Sequence, residues 1–219
     1  MKNLKMKVLG TVTAMLLILS NAAHAQLLAH DNSSRFGIKG GLNISNLYTN
    51  DVNSKNTLLG FNGGVFLKIA LTDFIAFQPE LLYTTKGAEL TYNNSFVVGQ
   101  GRFSLSYLEV PLLAVINITK NVNVHGGVYV ASLTDVTIKN LNNNGSYNFE
   151  QQLNKDNFET LDYGLTAGVG ADFGKTSFGL RYEYGMKTVG KDKSFLGATY
   201  RFPDARNSNL SFYISLSIL

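Results

Sequence analysis

From Leu161 to Met186 apolar and polar residues alternate almost without a break. Leu161, Tyr163, Leu165, Ala167, Val169, Ala171 and Phe173 are separated by Asp162, Gly164, Thr166, Gly168, Gly170 and Asp172. After Gly174-Lys175-Thr176, the residues Phe178, Leu180, Tyr182, Tyr184 and Met186 alternate with Gly179, Arg181, Glu183 and Gly185. A period of two puts successive side chains on opposite faces of a strand. The stretch therefore predicts a tight hairpin with one apolar and one polar face. The polar face carries Asp162, Arg181 and Glu183 together with most of the glycines. A face that meets water favours bulky polar residues. Glycine mixed with charge fits a narrow, crowded interior, with the apolar face outside.

The same pattern recurs along the chain. Strand one is expected over about 35–47, with Phe36, Ile38, Gly40, Leu42 and Ile44 opposite Gly37, Lys39, Gly41, Asn43 and Ser45. Strand two (about 58–71) opposes Leu59, Phe61, Gly63, Val65, Leu67 and Ile69 to Gly60, Asn62, Gly64, Phe66 and Lys68. Strand three (about 74–86) opposes Ile75, Phe77, Pro79, Leu81 and Tyr83 to Gln78, Glu80, Thr84 and Lys86, with a local irregularity expected at Pro79 because proline cannot donate to the ladder. In strand four (about 102–117) Leu108, Val110, Leu112, Ala114 and Ile116 oppose Tyr107, Glu109, Pro111, Leu113 and Val115. Phe103 and Leu105 have the wrong parity for its outer face, so either a bulge lies near Ser106 or both belong to the loop side. Strand five (about 122–133) has His125, Gly127 and Tyr129 inside. The hairpin supplies strands six and seven, and strand eight covers 209–219. Polar connections over 48–56, 87–101, 134–159 and 187–208 read as long loops, and residues 195–202 as a possible extension of the strands.

Eight strands joined by alternating long and short connections match an all-β fold: an eight-stranded antiparallel up-and-down transmembrane β-barrel, with long loops on the outside and short turns on the periplasmic side. Each strand reaches the roughly 9–11 residues that a tilted crossing needs, and closure removes the edges that lipid does not tolerate. Energetics fixes the faces. Lys or Arg facing lipid near the midplane costs about 2–4 kcal/mol each. Lys39, Lys68 and Arg181 alone would then offset a typical folding free energy of roughly 5–15 kcal/mol. The charged face must be the lumen.

Composition changes the picture at the N-terminus. Lys2, Lys5 and Lys7 precede an apolar run from Val8 to Leu19 and the small-x-small site Ala23-His24-Ala25. This is the order of a signal peptide over residues 1–25, followed by a polar periplasmic leader (26–34) and the barrel domain (35–219). The net charge of +4 rests on 19 Lys+Arg against 15 Asp+Glu. Loss of the three lysines leaves an excess of one, so no nucleic-acid partner is implied. There is no cysteine, and charged residues make up 16% of the chain, below the usual ~25%.

The lumen charge network is the candidate site: Lys39, Lys68, Glu80, Glu109, His125, Asp162, Arg181 and Glu183, with Lys86 on the same inner face. An eight-stranded interior is just wide enough for side chains, and buried charges need partners. A packed, paired network is therefore the expectation ahead of a proton or ion path, and Leu113 and Val115 add apolar filling near the periplasmic end. Tyr83, Tyr163, Tyr182, Tyr184 and Phe212 fall on the outer face, where they would form interfacial girdles or ordinary strand filling. His30 and His125 are the only histidines after residue 25, so no multi-histidine metal site is expected within one chain. Gly174-Lys175-Thr176 lacks the glycine that a phosphate loop needs at position 169, where Val169 stands. No cofactor and no enzymatic activity are expected.

Three motifs carry a resemblance. Gly37-Ile38-Lys39-Gly40-Gly41-Leu42-Asn43, then Phe77-Gln78-Pro79-Glu80-Leu81-Leu82-Tyr83 with Lys86-Gly87, then Tyr107-Leu108-Glu109-Val110-Pro111-Leu112-Leu113, resemble the PorT-like outer-membrane β-barrel family of Bacteroidetes in order and spacing. The resemblance implies an eight-stranded barrel in the cell outer membrane and leaves the molecular role open. The last residue is Leu219, where many outer-membrane barrels carry an aromatic. Expected partners are outer-membrane lipid, the barrel-assembly machinery and a protein or surface ligand at the extracellular loops, chiefly 134–159, with the chain a monomer. The role expected is structural or interaction. The alternatives are a small pore or transporter, or a soluble lipocalin-like carrier of an apolar ligand, which would need the two faces reversed.

Overall fold

A computed structural model of the chain describes residues 34–48, 55–94, 97–141, 150–152, 159–189, 193–195, 198–200 and 206–218. The expected signal peptide, and the leader up to residue 33, lie outside the described residues. The described residues form eleven strands: β1 (Arg35–Tyr48), β2 (Lys55–Ala70), β3 (Ile75–Asn94), β4 (Val97–Asn117), β5 (Val122–Leu141), β6 (Glu150–Gln152), β7 (Leu161–Phe173), β8 (Thr176–Thr188), β9 (Lys193–Phe195), β10 (Ala198–Tyr200) and β11 (Arg206–Ser217). Eight of them close into a ring in the order β1-β2-β3-β4-β5-β7-β8-β11 and back to β1, each antiparallel to its neighbours. Bends at 71–74 and 118–121 and the two-residue turn Gly174-Lys175 join strands at one end, called here the turn end. The last is possible because Gly174 takes a left-handed φ of 63°, which glycine adopts without a Cβ clash.

The outer surface is an apolar belt. Ile38, Leu42, Leu59, Phe61, Ile75, Leu112, Ile116, Val128, Leu165, Val169, Leu180 and Ile214 are exposed on it. The belt runs from Ile75 to Tyr83 on β3, from Leu108 to Ile116 on β4, from Val122 to Val130 on β5 and from Phe178 to Met186 on β8. At ~3.3 Å per residue and a tilt of about 40°, such a run rises about 20 Å. Tyr83, Tyr163, Tyr182 and Phe212 are exposed on this face, while Tyr184 is half-buried. Phe74, Phe173 and Phe178 are exposed at the turn end.

Beyond the belt the fold departs from the expected loops. Residues 87–94 and 97–101, expected as a connection, are strand, and Gly87 to Asn94 pair with Ser104 to Val97. β5 likewise runs past Leu133 to Leu141, and β6 pairs with its Thr137–Lys139 segment. Residues 84–94, 97–107 and 131–141 thus continue as a sheet that projects roughly 25–30 Å past the belt by the same rise and tilt. Alternation fades there while backbone pairing persists. The expected extension over 195–202 is instead a small separate pair, β9 with β10.

Two irregularities have local causes. The β2–β3 pairing runs to Phe66 opposite Glu80 and resumes at Ile69 opposite Phe77, so Pro79 interrupts the ladder without shifting it. The bulge sits where the parity of β4 pointed, but its extra residue is in β5: Ser106 pairs with Asp135 and Tyr107 with Leu133, which skips Thr134. The Thr134 hydroxyl donates to the Ser106 carbonyl at 2.9 Å. Phe103 and Leu105 keep the inward parity of β4. The bulge turns both Leu133 and Val136 inward to meet them.

Candidate functional site

The barrel interior is built from the inward positions of all eight ring strands, and glycine on β7 and β8 makes the room. A Cβ at Gly164 would meet the Tyr129 ring, one at Gly168 the His125 ring, and one at Gly179 the Tyr213 ring. Each glycine thus seats a large side chain from another strand. Gly179→Val therefore displaces Tyr213 from a close-packed wall. The expected result is a barrel weakened by about 1–3 kcal/mol or more, read as a lower urea midpoint for the band that runs fast on unheated gels.

Four layers follow one another away from the turn end. In the first, Lys68 Nζ donates to Asp172 Oδ2 at 3.3 Å and to Asn117 Oδ1 at 3.5 Å, and Asn123 Nδ2 donates to the same Asp172 oxygen at 3.1 Å. Both charged side chains keep 16% exposure. Beside them Ala76, Leu113 and Val115 form a small apolar cluster under β3 and β4.

The second layer centres on Glu80, which is fully buried. Arg181 grips it as a fork, Nη1 to Oε2 at 2.7 Å and Nη2 to Oε1 at 2.9 Å. Lys39 Nζ donates to Oε1 at 3.0 Å and Oε2 at 3.2 Å, and Gln78 Nε2 donates to Oε1 at 2.7 Å. Lys39 also lies 3.6 Å from the centre of the Tyr213 ring, a cation–π contact between two buried side chains. Arg181 Nε reaches His125 Nε2 at 3.4 Å, and His125 Nδ1 lies 3.3 Å from Asn123 Oδ1. The histidine thus links the first two layers.

The third layer centres on Lys86. Its Nζ lies 2.6 Å from Glu109 Oε2 and 2.9 Å from Glu183 Oε2, with the Tyr129 ring 4.3 Å away. Asn209 Nδ2 donates to Glu183 at 3.0 Å. Asp162 accepts from Tyr129 Oη at 3.3 Å and from Asn207 Nδ2 at 2.8 Å, and the same Asn207 nitrogen donates to Tyr107 Oη at 3.2 Å. The fourth layer is an apolar roof of Ala88, Leu105, Leu133, Val136 and Val189, with Tyr107, Tyr129 and Ala131 packed beneath.

Of the inner charges anticipated from sequence, Lys39, Glu80, His125 and Arg181 therefore meet in one cluster. Glu109, Glu183 and Lys86 meet in a second, with Asp162 attached to it through Tyr129, whose ring faces Lys86 and whose hydroxyl donates to Asp162. Lys68 stands apart with Asp172. The sequence reading missed the neutral carriers Gln78, Asn123, Asn207 and Asn209, and the roof. Gln78 and Asn209 show inward parity, whereas Asn207 fell within the expected last loop. Among the described residues no group of three or more His, Cys, Asp or Glu side chains is placed to hold a metal ion.

Residues 24–189 match the family model described as outer membrane protein beta-barrel domain. The chain belongs to that family. As an outer membrane protein beta-barrel, it resides in the cell outer membrane, and its apolar belt faces lipid. Similar solved structures include Neisserial surface protein A, at 13% identity over 84% of this chain and 97% of that chain with a TM-score of 0.50. Ail, the attachment invasion locus protein of Yersinia pestis, is 12% identical over 85% of this chain and 99% of that chain, with a TM-score of 0.48. That crystal structure in complex with the heparin analogue sucrose octasulfate is of Ail itself. At such identities the likeness to the Neisserial protein is one of fold. No curated protein matches the chain.

Proposed function

We propose that this outer-membrane barrel is an interaction protein whose recognition surface is the projecting sheet of β3, β4 and β5 with the segments that join it. The observation that carries the reading is strand length. β3, β4 and β5 run for 20, 21 and 20 residues, while only about nine residues of a tilted strand are needed to cross the bilayer. The surplus is ordered backbone held up by an interior roof, which is what a presented surface needs and a bare membrane anchor does not. In this reading the turn end faces the periplasm and the projecting end the exterior, as the loop asymmetry of such barrels implies. A cleaved signal peptide over 1–25, insertion by the barrel-assembly machinery, a monomeric state and PorT-like kinship belong to the same proposal, as does the absence of catalysis.

The test removes height without touching the belt. Residues 91–100 are replaced by an Asn-Gly turn, because Leu90 already pairs with Gly101. Cells displaying the trimmed and the intact protein are compared for binding to a panel of proteins and sulfated glycans. The trimmed barrel should keep its heat-modifiable mobility and lose whatever binding the intact one shows. Equal binding by both would remove the projecting sheet as the recognition surface. The pore alternative predicts discrete conductance steps in planar bilayers. The roof and the paired charges favour a silent barrel.

A further inference from the structure

The interior charges are unevenly divided. In the two layers nearest the turn end, Arg35, Lys39, Lys68 and Arg181 are set against two carboxylates, Glu80 and Asp172. His125 adds no charge, because its Nε2 accepts from Arg181. Beneath the roof the balance reverses, and Lys86 is set against Glu109, Glu183 and Asp162. The half next to the turn end thus holds an excess of positive charge, which acts more strongly inside a low-dielectric wall than in water. We propose that this half binds one phosphate group at the mouth of the barrel, between Arg35 and Lys68.

The space there sets what fits. A cavity of ≈ 20 Å³ is lined by Arg35, Lys68, Asp172, Ser177, Ser215 and Ser217, with His125 and Tyr213 behind them. It has room for about one water, hence for one oxygen of an oxyanion whose body stays outside. Arg35 and Lys68 are paired across β1 and β2, so both reach the cavity from one side. Their donors are not used up. Arg35 gives one N–H to the Gly174 carbonyl at 3.1 Å, and a guanidinium has five. Lys68 donates to Asp172 and Asn117, and an ammonium has three N–H groups. A guanidinium fork beside an ammonium suits phosphate oxygens, and the hydroxyls of Ser215 and Ser217 add further donors. The opposing charge is Asp172, the one carboxylate among the lining residues, and Lys68 and Asn123 already engage it. Lys39 and Arg181 lie 3.6 and 5.3 Å from the centre of the Tyr213 ring. Their field reaches the cavity through that ring, and nothing has to pass them. The phosphate comes either free from solution or from a phospholipid headgroup at the rim, where Phe74 and Phe173 are exposed.

The test uses the barrel folded in a non-ionic, phosphate-free detergent at fixed ionic strength. Amide NMR shifts are followed as inorganic phosphate replaces chloride. Those of Arg35, Ser177 and Ser217 should saturate together. Arg35→Gln should weaken binding roughly tenfold, and Asp172→Asn should tighten it by a similar factor, because the opposing charge is gone. A merely structural role for these residues would not tighten anything. Lys120→Gln with Lys175→Gln removes two exposed turn lysines that do not line the cavity. That variant should change affinity by less than about twofold, since salt screens exposed charges. If Arg35→Gln does not fold, Ser215→Ala with Ser217→Ala replaces it and should also weaken binding. Shifts that never saturate, an Asp172→Asn barrel that binds no tighter, or loss of binding in the turn-lysine variant would each overturn the site. Phosphatidylglycerol nanodiscs identify the source. Mouth amides already at their phosphate-bound positions support the site with a headgroup in it. Amides that still move when phosphate is added support the site with free phosphate as its ligand. A periplasmic location for the site rests on the orientation proposed above; its chemistry does not.

Discussion

Glu80→Gln is expected to lower the unfolding free energy of the barrel by about 3–5 kcal/mol, the usual cost of breaking a buried ion pair from one side. The reason is arithmetic. Among the described residues Glu80 is the one carboxylate in a salt bridge with both Lys39 and Arg181, and all three are almost wholly buried. Glutamine keeps the shape and one acceptor oxygen but leaves two cations facing each other without their anion. A urea titration followed by unheated gel mobility measures the change. The contrast variant is the triple Lys39→Met, Glu80→Leu and Arg181→Met. Replacing a whole buried ionic group by apolar residues is often neutral or stabilising, so the triple variant should sit well above the single one. If Glu80→Gln costs less than about 1 kcal/mol, at the scale of an exposed pair, the interior is wetter and less coupled than the geometry implies.

Lys86→Met should be the more damaging of the two. Its ammonium is shared by Glu109 and Glu183, with Asp162 in the next shell of hydrogen bonds. Removing it leaves carboxylates crowded together under an apolar roof with no cation among them. A loss at or above the upper end of the 3–5 kcal/mol range is expected, about enough to abolish folding of a barrel of ordinary stability. The check is rescue. Lys86→Met combined with Glu109→Gln and Glu183→Gln should regain most of the lost stability, because the amides need no countercharge. Failure of the neutralised triple variant to recover would mean that Lys86 acts through its packing against Tyr129 rather than through charge.

The parts of this molecule that could be read from its sequence are those where lipid writes a signal. Leu165, Val169, Leu180 and Tyr182 had to alternate with Asp162, Thr166, Arg181 and Glu183, because an apolar solvent on one side and a crowded lumen on the other leave no choice. The inward set was legible for the same reason. The pairings were not: that Lys39 and Arg181 meet Glu80, while Lys86 holds Glu109 and Glu183, depends on the stagger between strands, and parity carries no record of it. Above the belt the alternation fades, so residues 87–94 and 134–141 read as loop although they pair as strand. The roof was hidden because Ala88, Val136 and Val189 fall in stretches that read as loops. Thr134 also shifts the phase of β5, so the fold sets Leu133 and Val136 side by side although their spacing is odd.

That skipped residue has a consequence for how such a chain changes over time. A strand locked to lipid cannot gain or lose one residue without exchanging its faces. The bulge is a joint at which the phase is already broken, so insertions and deletions above it leave the register below untouched. Hairpins of other lengths and sequences can therefore be exchanged at the level of Ser106 and Thr134 while the same membrane-spanning part is kept. The barrel is a fixed socket, and what stands in it is free to vary.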